Sequence, residues 1–344
     1  MGDLVDMSVR KQIANSSRWT IDVASGSIIM AIGIFLLGAL HQFPFVEKYW
    51  GQCLVIMLVL FWIIMLSFFL HALFNRVYRS NLVRSPIRSF GAVKWIAGTS
   101  VTCILLIKQM PEFYVVIGLL LWMNVFSWGI FIVFCTFQFI QIVENQVSRE
   151  VHGVILLSTV STQSITLLLM NYYENINSTV IVFIIFIGCA FYLFSLSLLL
   201  FRFITKYKNI HEWKNTDCII HGALSITGLA MTQSGIFPIR ILMIVWYMAF
   251  SLFIVVETIE IVRAIIRIKE YGFKQGILTY HITQWARNFT FGMLYFFTFN
   301  LVNRFTEVHP LLFQENFMIG LGWVVFTLLI IEFLLLINNF RYSK

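Results

Sequence analysis

The sequence predicts an all-α polytopic membrane protein with ten transmembrane helices in a single domain. Of its 344 residues, 59% are hydrophobic and 12% are charged, whereas a soluble domain carries about 25% charged residues. Apolar runs near the roughly 20 residues that a transmembrane helix needs recur along the whole chain. No linker between these runs is long enough to form a soluble domain, so we expect one membrane domain.

The apolar segments set the predicted helices. Their expected bounds are 20–43, 51–75, 90–109, 112–140, 152–171, 178–201, 218–237, 239–263, 284–303 and 315–338. Segment 112–140 is long for one helix, which predicts a tilt or an extension beyond the bilayer. The membrane domain is thus predicted over 20–338, between cytoplasmic tails at 1–19 and 339–344. The first tail is polar and lacks the apolar core of a cleavable signal peptide.

The basic residues predict the orientation of the chain. Most of the 24 lysines and arginines fall in the tails and in alternate loops, and only Lys48, Lys108, Arg240 and Arg304 fall on the opposite side. Positive charge favours the cytoplasmic face, so both termini are expected there. The formal net charge of +8 therefore reflects topology, and we expect no nucleic-acid partner.

The odd and even segments differ in composition. Odd segments carry small and hydroxyl residues, as in Ser158–Ser164, whereas even segments are bulky and apolar. Bulky helices suit lipid, while small and polar ones suit close packing or a watery path. Ser89-Phe90-Gly91, His152-Gly153 and His221-Gly222 open three odd segments at a spacing of roughly sixty residues. This repeat predicts five helical hairpins with the odd helices around a central pore, although helix packing alone also explains the small residues.

Charged and polar side chains in the odd segments are the candidate pore residues. An intramembrane charge costs about 2.5–3.5 kcal/mol and usually faces a cavity or partner, so Arg287 and Lys94 are predicted to attract an anion. Hydroxyl and amide groups can donate hydrogen bonds to it. The predicted pore-lining residues are Gly26, Thr99, Ser161, Thr162, Ser225, Thr227, Asn288 and Gly292. Phe289 is a candidate apolar gate. There is an alternative for each of these roles. Arg287 and Lys94 would then lie at helix ends and reach the lipid headgroups, and Phe289 would pack in the core.

The sequence contains none of the familiar catalytic motifs. No nucleophile elbow, zinc-binding helix or phosphate-binding loop occurs, and the five cysteines stand singly. We therefore expect no enzyme, no metal and no cofactor. Two other classes stay open: a membrane-embedded enzyme that uses His152 and His221 as haem or metal ligands, and a sensor or scaffold without transport.

Several stretches of the chain, taken in order, resemble the tellurite-resistance/dicarboxylate transporter family. They are MAIGIFLLGALHQFPF, SPIRSFGAVKWIAGTS, HGVILLSTVSTQS, WKNTDCIIHGALSITGLAMTQSG and WARNFTFGMLYFFTF. The family also includes sulfite exporters and the slow anion channels of plants. The resemblance implies ten helices in five hairpins, an anion pore in each protomer of a homotrimer in the cell membrane, and a gating phenylalanine at Phe289. It implies a dicarboxylate, sulfite or an oxyanion such as tellurite as substrate.

The chain also departs from the family pattern. Thr290 replaces a proline of the ninth helix, Ile32 replaces a threonine of the first, and Arg287 and Asn288 stand where apolar residues are common. Prolines kink helices, so their loss changes the expected shape of the pore. We therefore expect a divergent member.

Overall fold

The computed structural model describes residues 22–145, 147–205, 210–305 and 311–342, and all regular structure in these ranges is helical. Ten α-helices in them have twelve residues or more. They are Gly26–Leu37 (α1), Pro44–Phe74 (α2), Lys94–Gln109 (α3), Tyr114–Glu144 (α4), Leu157–Tyr172 (α5), Ser178–Thr205 (α6), Ile219–Gln233 (α7), Ile239–Gly276 (α8), Trp285–Phe305 (α9) and Leu312–Tyr342 (α10). Two short helices, Arg76–Arg84 and Pro86–Ser89, connect α2 with α3. The predicted N-terminal tail at 1–19 lies outside the described residues.

The odd-numbered helices are the shorter ones. They have 12 to 21 residues, against 28 to 38 for the even-numbered ones. Each odd helix follows directly on a 3₁₀ turn, which the prediction missed. The turns are Val23–Ser25, Phe90–Val93, Gly153–Leu156, Asn215–Cys218 and Ile282–Gln284. Gly91 and Gly153 lie within these turns, and Gly26 and Gly222 lie in the helices that follow them, so the repeat marks the start of these odd-numbered helices.

Seven helical segments of the described chain are long and apolar enough to cross a bilayer. They contain α3, α5 and all the even-numbered helices. The fifteen residues of α7 span only about 22 Å at 1.5 Å per residue, less than the roughly 30 Å of hydrocarbon. In contrast, α8 runs to Gly276 instead of 263 and changes direction at Gly272, whose φ of 75° requires a glycine.

The odd-numbered helices form a closed inner ring. Each contacts the next one in the order α1, α3, α5, α7, α9, and α9 contacts α1. Every even-numbered helix packs on the outside against two neighbouring ring members. We call these sets the inner and outer helices. Of the 18 most apolar residues of each segment, 94% are buried in the segment that contains α5, but only 22% are buried in α2. Composition thus predicted correctly which helices lie inside.

Close approach in the ring depends on small residues. A Cβ added to Gly292 would lie 2.7 Å from the Ile34 side chain, and one added to Gly222 would collide with Thr290. Such distances are shorter than real carbon contacts, so only glycine permits this spacing of α9 against α1 and α7.

Hydrogen bonds between the outer and inner helices repeat along the chain. In three cases a tryptophan Nε1–H of an outer helix donates to a threonine hydroxyl of the inner helix that follows it. The pairs are Trp62–Thr99 (3.2 Å), Trp128–Thr162 (3.2 Å) and Trp246–Thr298 (2.9 Å). In α6 the Tyr192 hydroxyl donates to the Ile220 carbonyl instead, at 3.3 Å. The same element pair thus recurs with the same type of polar contact.

Asp217 joins the start of α7 to the start of α5. Its fully buried carboxylate accepts the backbone N–H of Gly153 (2.8 Å) and of Lys214 (3.0 Å). The guanidinium of Arg202 donates to it at 3.0 Å. We call this set the Asp217 junction. Gly153 lies so close to the Thr216 carbonyl that no side chain fits there, which explains the glycine in the His152-Gly153 pair.

Candidate functional site

A cavity of about 390 Å³ opens at the N-terminal ends of the inner helices. We call it the N-side vestibule. The segments that lead into all five inner helices line it. Lys94, which is 2% exposed, lines it together with Arg88, Asp22 and Glu150. The predicted anion-attracting Lys94 therefore faces a cavity on the ring axis.

His152 lies at the edge of the N-side vestibule and is uncharged at neutral pH. Its Nδ1 is 2.8 Å from the Thr216 hydroxyl. Burial lowers the pKa of His152 to about 4, and the positive charges of Arg202, Lys214 and Lys94 add to this effect. The vestibule therefore gains no charge from this histidine near pH 7.

A second cavity lies between the C-terminal halves of the inner helices. We call it the C-side cavity. Its volume is about 20 Å³, room for about one water molecule. All five inner helices line it, with Ile34, Leu37, Val101, Ile104, Lys108, Ser164, Leu167, Asn171, Ile226, Leu229, Gln233, Met293 and Phe296. At its polar end Asn171 donates to Gln233 (3.3 Å), and Gln233 donates to Asn300 (3.2 Å). The ring axis is therefore apolar but ends in amides and the Lys108 ammonium.

The helical repeat places Phe289 between the two cavities. The lining positions on each inner helix are three or four residues apart, so each helix presents one face to the axis. One turn towards the N-terminus, that face carries Met30, Ala97, Ser161, Ala223 and Phe289. All five are buried, and Phe289 is 2% exposed. Phe289 is the largest side chain at this level.

Several predicted pore-lining hydroxyls point elsewhere. Thr99 and Thr162 accept hydrogen bonds from tryptophans of the outer helices. Ser225 and Thr227 donate at 2.8 Å to carbonyls of their own helix and flank Ile226, the residue that lines the C-side cavity. Among the predicted hydroxyls, only Ser161 shares the cavity-facing side of its helix. Lining by the other four is not supported, because Thr99 and Thr162 bond to outer helices and Ser225 and Thr227 lie beside, not on, the face of α7 that lines the cavity.

The two predicted pore glycines lie at helix contacts. An added Cβ on Gly26 would be 3.0 Å from the Lys94 Cβ, and Gly292 lies against Ile34. Neither glycine lines the N-side vestibule or the C-side cavity. Their small size positions the lining residues Lys94 and Ile34, which is an indirect role.

Arg287 lies on the side of α9 that faces α8. Its Nη2 is 2.7 Å from Glu260 Oε2, and its Nε is 3.8 Å from Glu257 Oε2. Glu260 also accepts the Trp213 Nε1–H at 2.8 Å. A cation paired in this way contributes little to the potential on the ring axis. The expectation that Arg287 attracts the anion is therefore not supported. Asn288 beside it is 2% exposed and lines the same outer crevice as Arg287.

The comparison with known families matches this geometry. The sequence model of the SLAC1 family, described as voltage-dependent anion channel, matches residues 21–338. The chain belongs to the SLAC1 family. The predicted relationship to tellurite-resistance and dicarboxylate transporters, which are part of this family, is confirmed. SLAC1-family proteins are membrane anion channels and transporters, not enzymes. A search of curated proteins gives no match.

His152 and His221 of this SLAC1-family protein do not form a ligand set. His221 is fully buried, its ring nitrogens make no hydrogen bond, and it packs edge-on against Phe253 and Phe291. His152 bonds to Thr216 at the N-side vestibule. Over the described ranges, no three His, Cys, Asp or Glu side chains come together as a metal site. His221 is therefore a core residue.

Lys108 is the axial residue that sequence reasoning missed. The sequence places it on the side opposite the termini, at the end of segment 90–109, but the structure shows that this penultimate residue of α3 lines the C-side cavity. Lys94, Val101 and Lys108 are seven residues apart, which is two helical turns and thus one helix face. This spacing was the available signal, and it places a cation at each end of the axis.

Proposed function

We propose that this SLAC1-family protein conducts anions along the axis of the inner ring. The observation that supports this most is the pair of cavities on one axis, each lined from all five inner helices. A ring of helices that only packed together would need no vestibule of about 390 Å³ at one end. Since both cavities lie within one chain, each protomer has its own pathway.

The proposed topology has ten membrane-crossing helices in five hairpins. It is supported by the alternation of buried inner helices and outer helices that expose large apolar side chains. The short inner helices are surrounded by protein, so lipid need not match their length. Basic residues put both termini in the cytoplasm, and the N-side vestibule is then the cytoplasmic mouth. We propose a homotrimer in the cell membrane on the family likeness alone.

Lys94 and Lys108 are the proposed anion-attracting groups. One lines each cavity, and both lie on one face of α3. A cation at each mouth lowers the barrier to anion access, and the amides of Asn171 and Gln233 can donate hydrogen bonds to a partly dehydrated anion. The substrate class is a dicarboxylate, sulfite or another oxyanion.

Phe289 is the proposed gate of a closed pathway. The C-side cavity holds only about one water molecule at its volume of about 20 Å³. An anion therefore passes only after the axis widens, and we propose that the level of Phe289, Met30 and Ser161 controls this step. An apolar constriction of this kind blocks ions because they cannot shed their hydration shell there.

The Phe289→Ala variant tests the proposal. In liposomes loaded with chloride, sulfite, malate or tellurite, anion efflux through Phe289→Ala is expected to rise by roughly tenfold, which needs only about 1.4 kcal/mol of barrier. Phe291→Ala is the matched control. It is the same change on the same helix, but the Phe291 ring packs on Phe253 with centroids 4.9 Å apart. Equal efflux from both variants would contradict an axial gate.

Charge selectivity tests the lysines separately. In the Phe289→Ala background, Lys108→Gln is expected to lower the preference for anions over cations, as read from reversal potentials in planar bilayers. Lys48→Gln is the control, since Lys48 is exposed and lines neither cavity. An unchanged reversal potential in Lys108→Gln would remove this lysine from the pathway.

A non-transporting sensor or scaffold is the second candidate. It is favoured by the pairing of Arg287 with Glu260 and by the closed axis. The Phe289→Ala experiment separates the two, because a sensor with a sealed axis gives no efflux of any anion. Folded, monodisperse Phe289→Ala protein that stays silent across the whole panel would support the sensor.

A further inference from the structure

A crevice away from the axis brings three guanidinium groups together. It has a volume of about 210 Å³ and lies between α8, α9 and α10. Arg263, Arg267 and Arg287 line it, and apolar side chains of α10, including Leu328 and Leu335, form the opposite wall. We call it the Arg287 crevice. Arg287 and Arg263 pair with Glu260 at 2.7 and 3.4 Å, so Arg267 is the arginine of this crevice that leaves a net positive charge towards the apolar wall.

The crevice contains more hydrogen-bond donors than its own residues use. Asn288 is 2% exposed, and neither its amide nitrogen nor its amide oxygen has a partner. The Nε atoms of Arg263 and Arg287 are buried without a hydrogen bond. Arg267 makes no ion pair with any described residue. Buried donors without partners cost free energy, so this set fits a ligand that accepts several hydrogen bonds.

The carboxylates of the crevice refine the ligand further. Glu260 is occupied by Trp213, by Arg287 and by Arg263. The Oε2 atom of Glu332, however, is buried without a partner. It can accept a hydrogen bond from a ligand hydroxyl. The ligand that fits this crevice therefore has an anionic group with several acceptor oxygens, a nearby hydroxyl and an apolar tail.

We propose that the Arg287 crevice binds the phosphate of an anionic lipid whose headgroup carries a free hydroxyl, with its acyl chains along α10. Phosphate presents the acceptor oxygens that guanidinium groups bind best. The predicted orientation puts the crevice on the cytoplasmic side, where anionic lipid meets basic residues. Arg287 and Asn288 directly precede Phe289, so a bound headgroup is placed to change the gate. That consequence rests on the proposed function.

Lipid binding to the full-length chain tests the site. Native mass spectrometry in detergent would count phosphatidylglycerol and phosphatidylcholine molecules bound across a titration of each. We expect the chain to retain phosphatidylglycerol selectively. Arg267→Gln is expected to weaken this binding by roughly tenfold. It removes a hydrogen bond between the charged guanidinium and the lipid phosphate, and the loss of one such bond is enough to change the affinity by this factor.

Two further variants keep the test specific. Asn288→Leu removes the unpaired amide without touching an ion pair and is expected to weaken phosphatidylglycerol binding as well. Lys269→Gln is the control, since Lys269 lies on the same helix but is exposed and outside the crevice. Equal binding of phosphatidylglycerol by all variants, or no preference over phosphatidylcholine, would overturn the site.

Binding of a soluble headgroup analogue and measurement of anion efflux separate the remaining outcomes. Glycerol 3-phosphate carries a phosphate, as a monoester, and two free hydroxyls without acyl chains, so tight binding of it would overturn the lipid assignment. Anion efflux from phosphatidylglycerol liposomes against phosphatidylcholine liposomes, compared for the wild type and Arg267→Gln, tests the effect on the gate. Selective binding without any change in efflux would overturn that effect alone. A chain that conducts no anion would still give the binding result.

Discussion

Replacement of Asp217 by asparagine removes the charge that holds two inner helices together at their starts. In the Asp217 junction the Arg202 side chain is 5% exposed and the carboxylate 0%. Loss of one partner of such a buried pair costs about 3–5 kcal/mol, because the other charge stays buried without compensation. Asparagine keeps one acceptor oxygen for Gly153 or Lys214, so we expect the lower end, about 3 kcal/mol.

Equilibrium unfolding of the full chain in mixed micelles measures this loss. The double variant Arg202→Met/Asp217→Asn removes both charges, so it is expected to lose no more stability than Asp217→Asn alone. Glu270→Gln is the control, because its contact with His211 (3.2 Å) is at the surface, where such pairs contribute little. A loss below about 0.5 kcal/mol for Asp217→Asn, the range of neutral surface changes, or additive losses in the double variant, would refute the reasoning.

Protonation of His152 and loss of the tryptophan–threonine bonds have distinct expected signatures. The folded state holds the pKa of His152 at about 4 instead of 6.5, so between these values the unfolded chain binds the extra proton and stability falls as pH falls. The difference between the two pKa values corresponds to roughly 3 kcal/mol of unfolding free energy. His152→Gln should therefore flatten the plot of unfolding free energy against pH between pH 7 and 4, and an unchanged slope of that plot would contradict this. Thr298→Val leaves the buried Trp246 N–H unpaired, which should lower the unfolding free energy by about 0.6–1.7 kcal/mol without changing ion selectivity in bilayers. Thr99→Val should do the same more weakly, since its bond is longer at 3.2 Å; altered selectivity there would return Thr99 to the pathway.

The sequence predicted which helices are inside because residue size alone separates the two sets. Five helices that close a ring must approach closely, and Gly222 and Gly292 permit this. The outer helices face lipid with bulky side chains such as Phe126 and Phe186. Both requirements act on composition, so they can be read without knowing which face of any helix points inward.

The orientation of individual side chains was not predictable in the same way. Thr99 and Ser161 are equally good pore candidates by residue type, but Thr99 faces a tryptophan 37 residues earlier in the chain. Arg287 likewise depends on Glu260, which belongs to another helix. The role of a hydroxyl or a charged group depends on the residue that it contacts. Contacts between residues distant in sequence can be identified only from the packed helices.

Helix ends and helix faces account for the other differences. Lys108 lies one residue before the end of α3, which the predicted segment 90–109 matches, so its position indicated topology and not its contact with the axis. The spacing of Lys94 and Lys108 carried the information that both share a face. The 3₁₀ turns before the inner helices left no trace in hydropathy, because one tight turn changes backbone geometry without changing the apolar content.

Closure of the ring between α9 and α1 imposes an order on biosynthesis. These helices contact each other through pairs such as Ile34–Gly292 and Gly38–Phe296, more than 250 positions apart in the chain. The first helix therefore leaves the ribosome long before its second ring neighbour exists, and its seam stays open during most of translation. A chain that stops before Trp285 leaves the faces of α1 and α7 that pack on α9 without their partner. The ring is thus closed only after α9 has been synthesised.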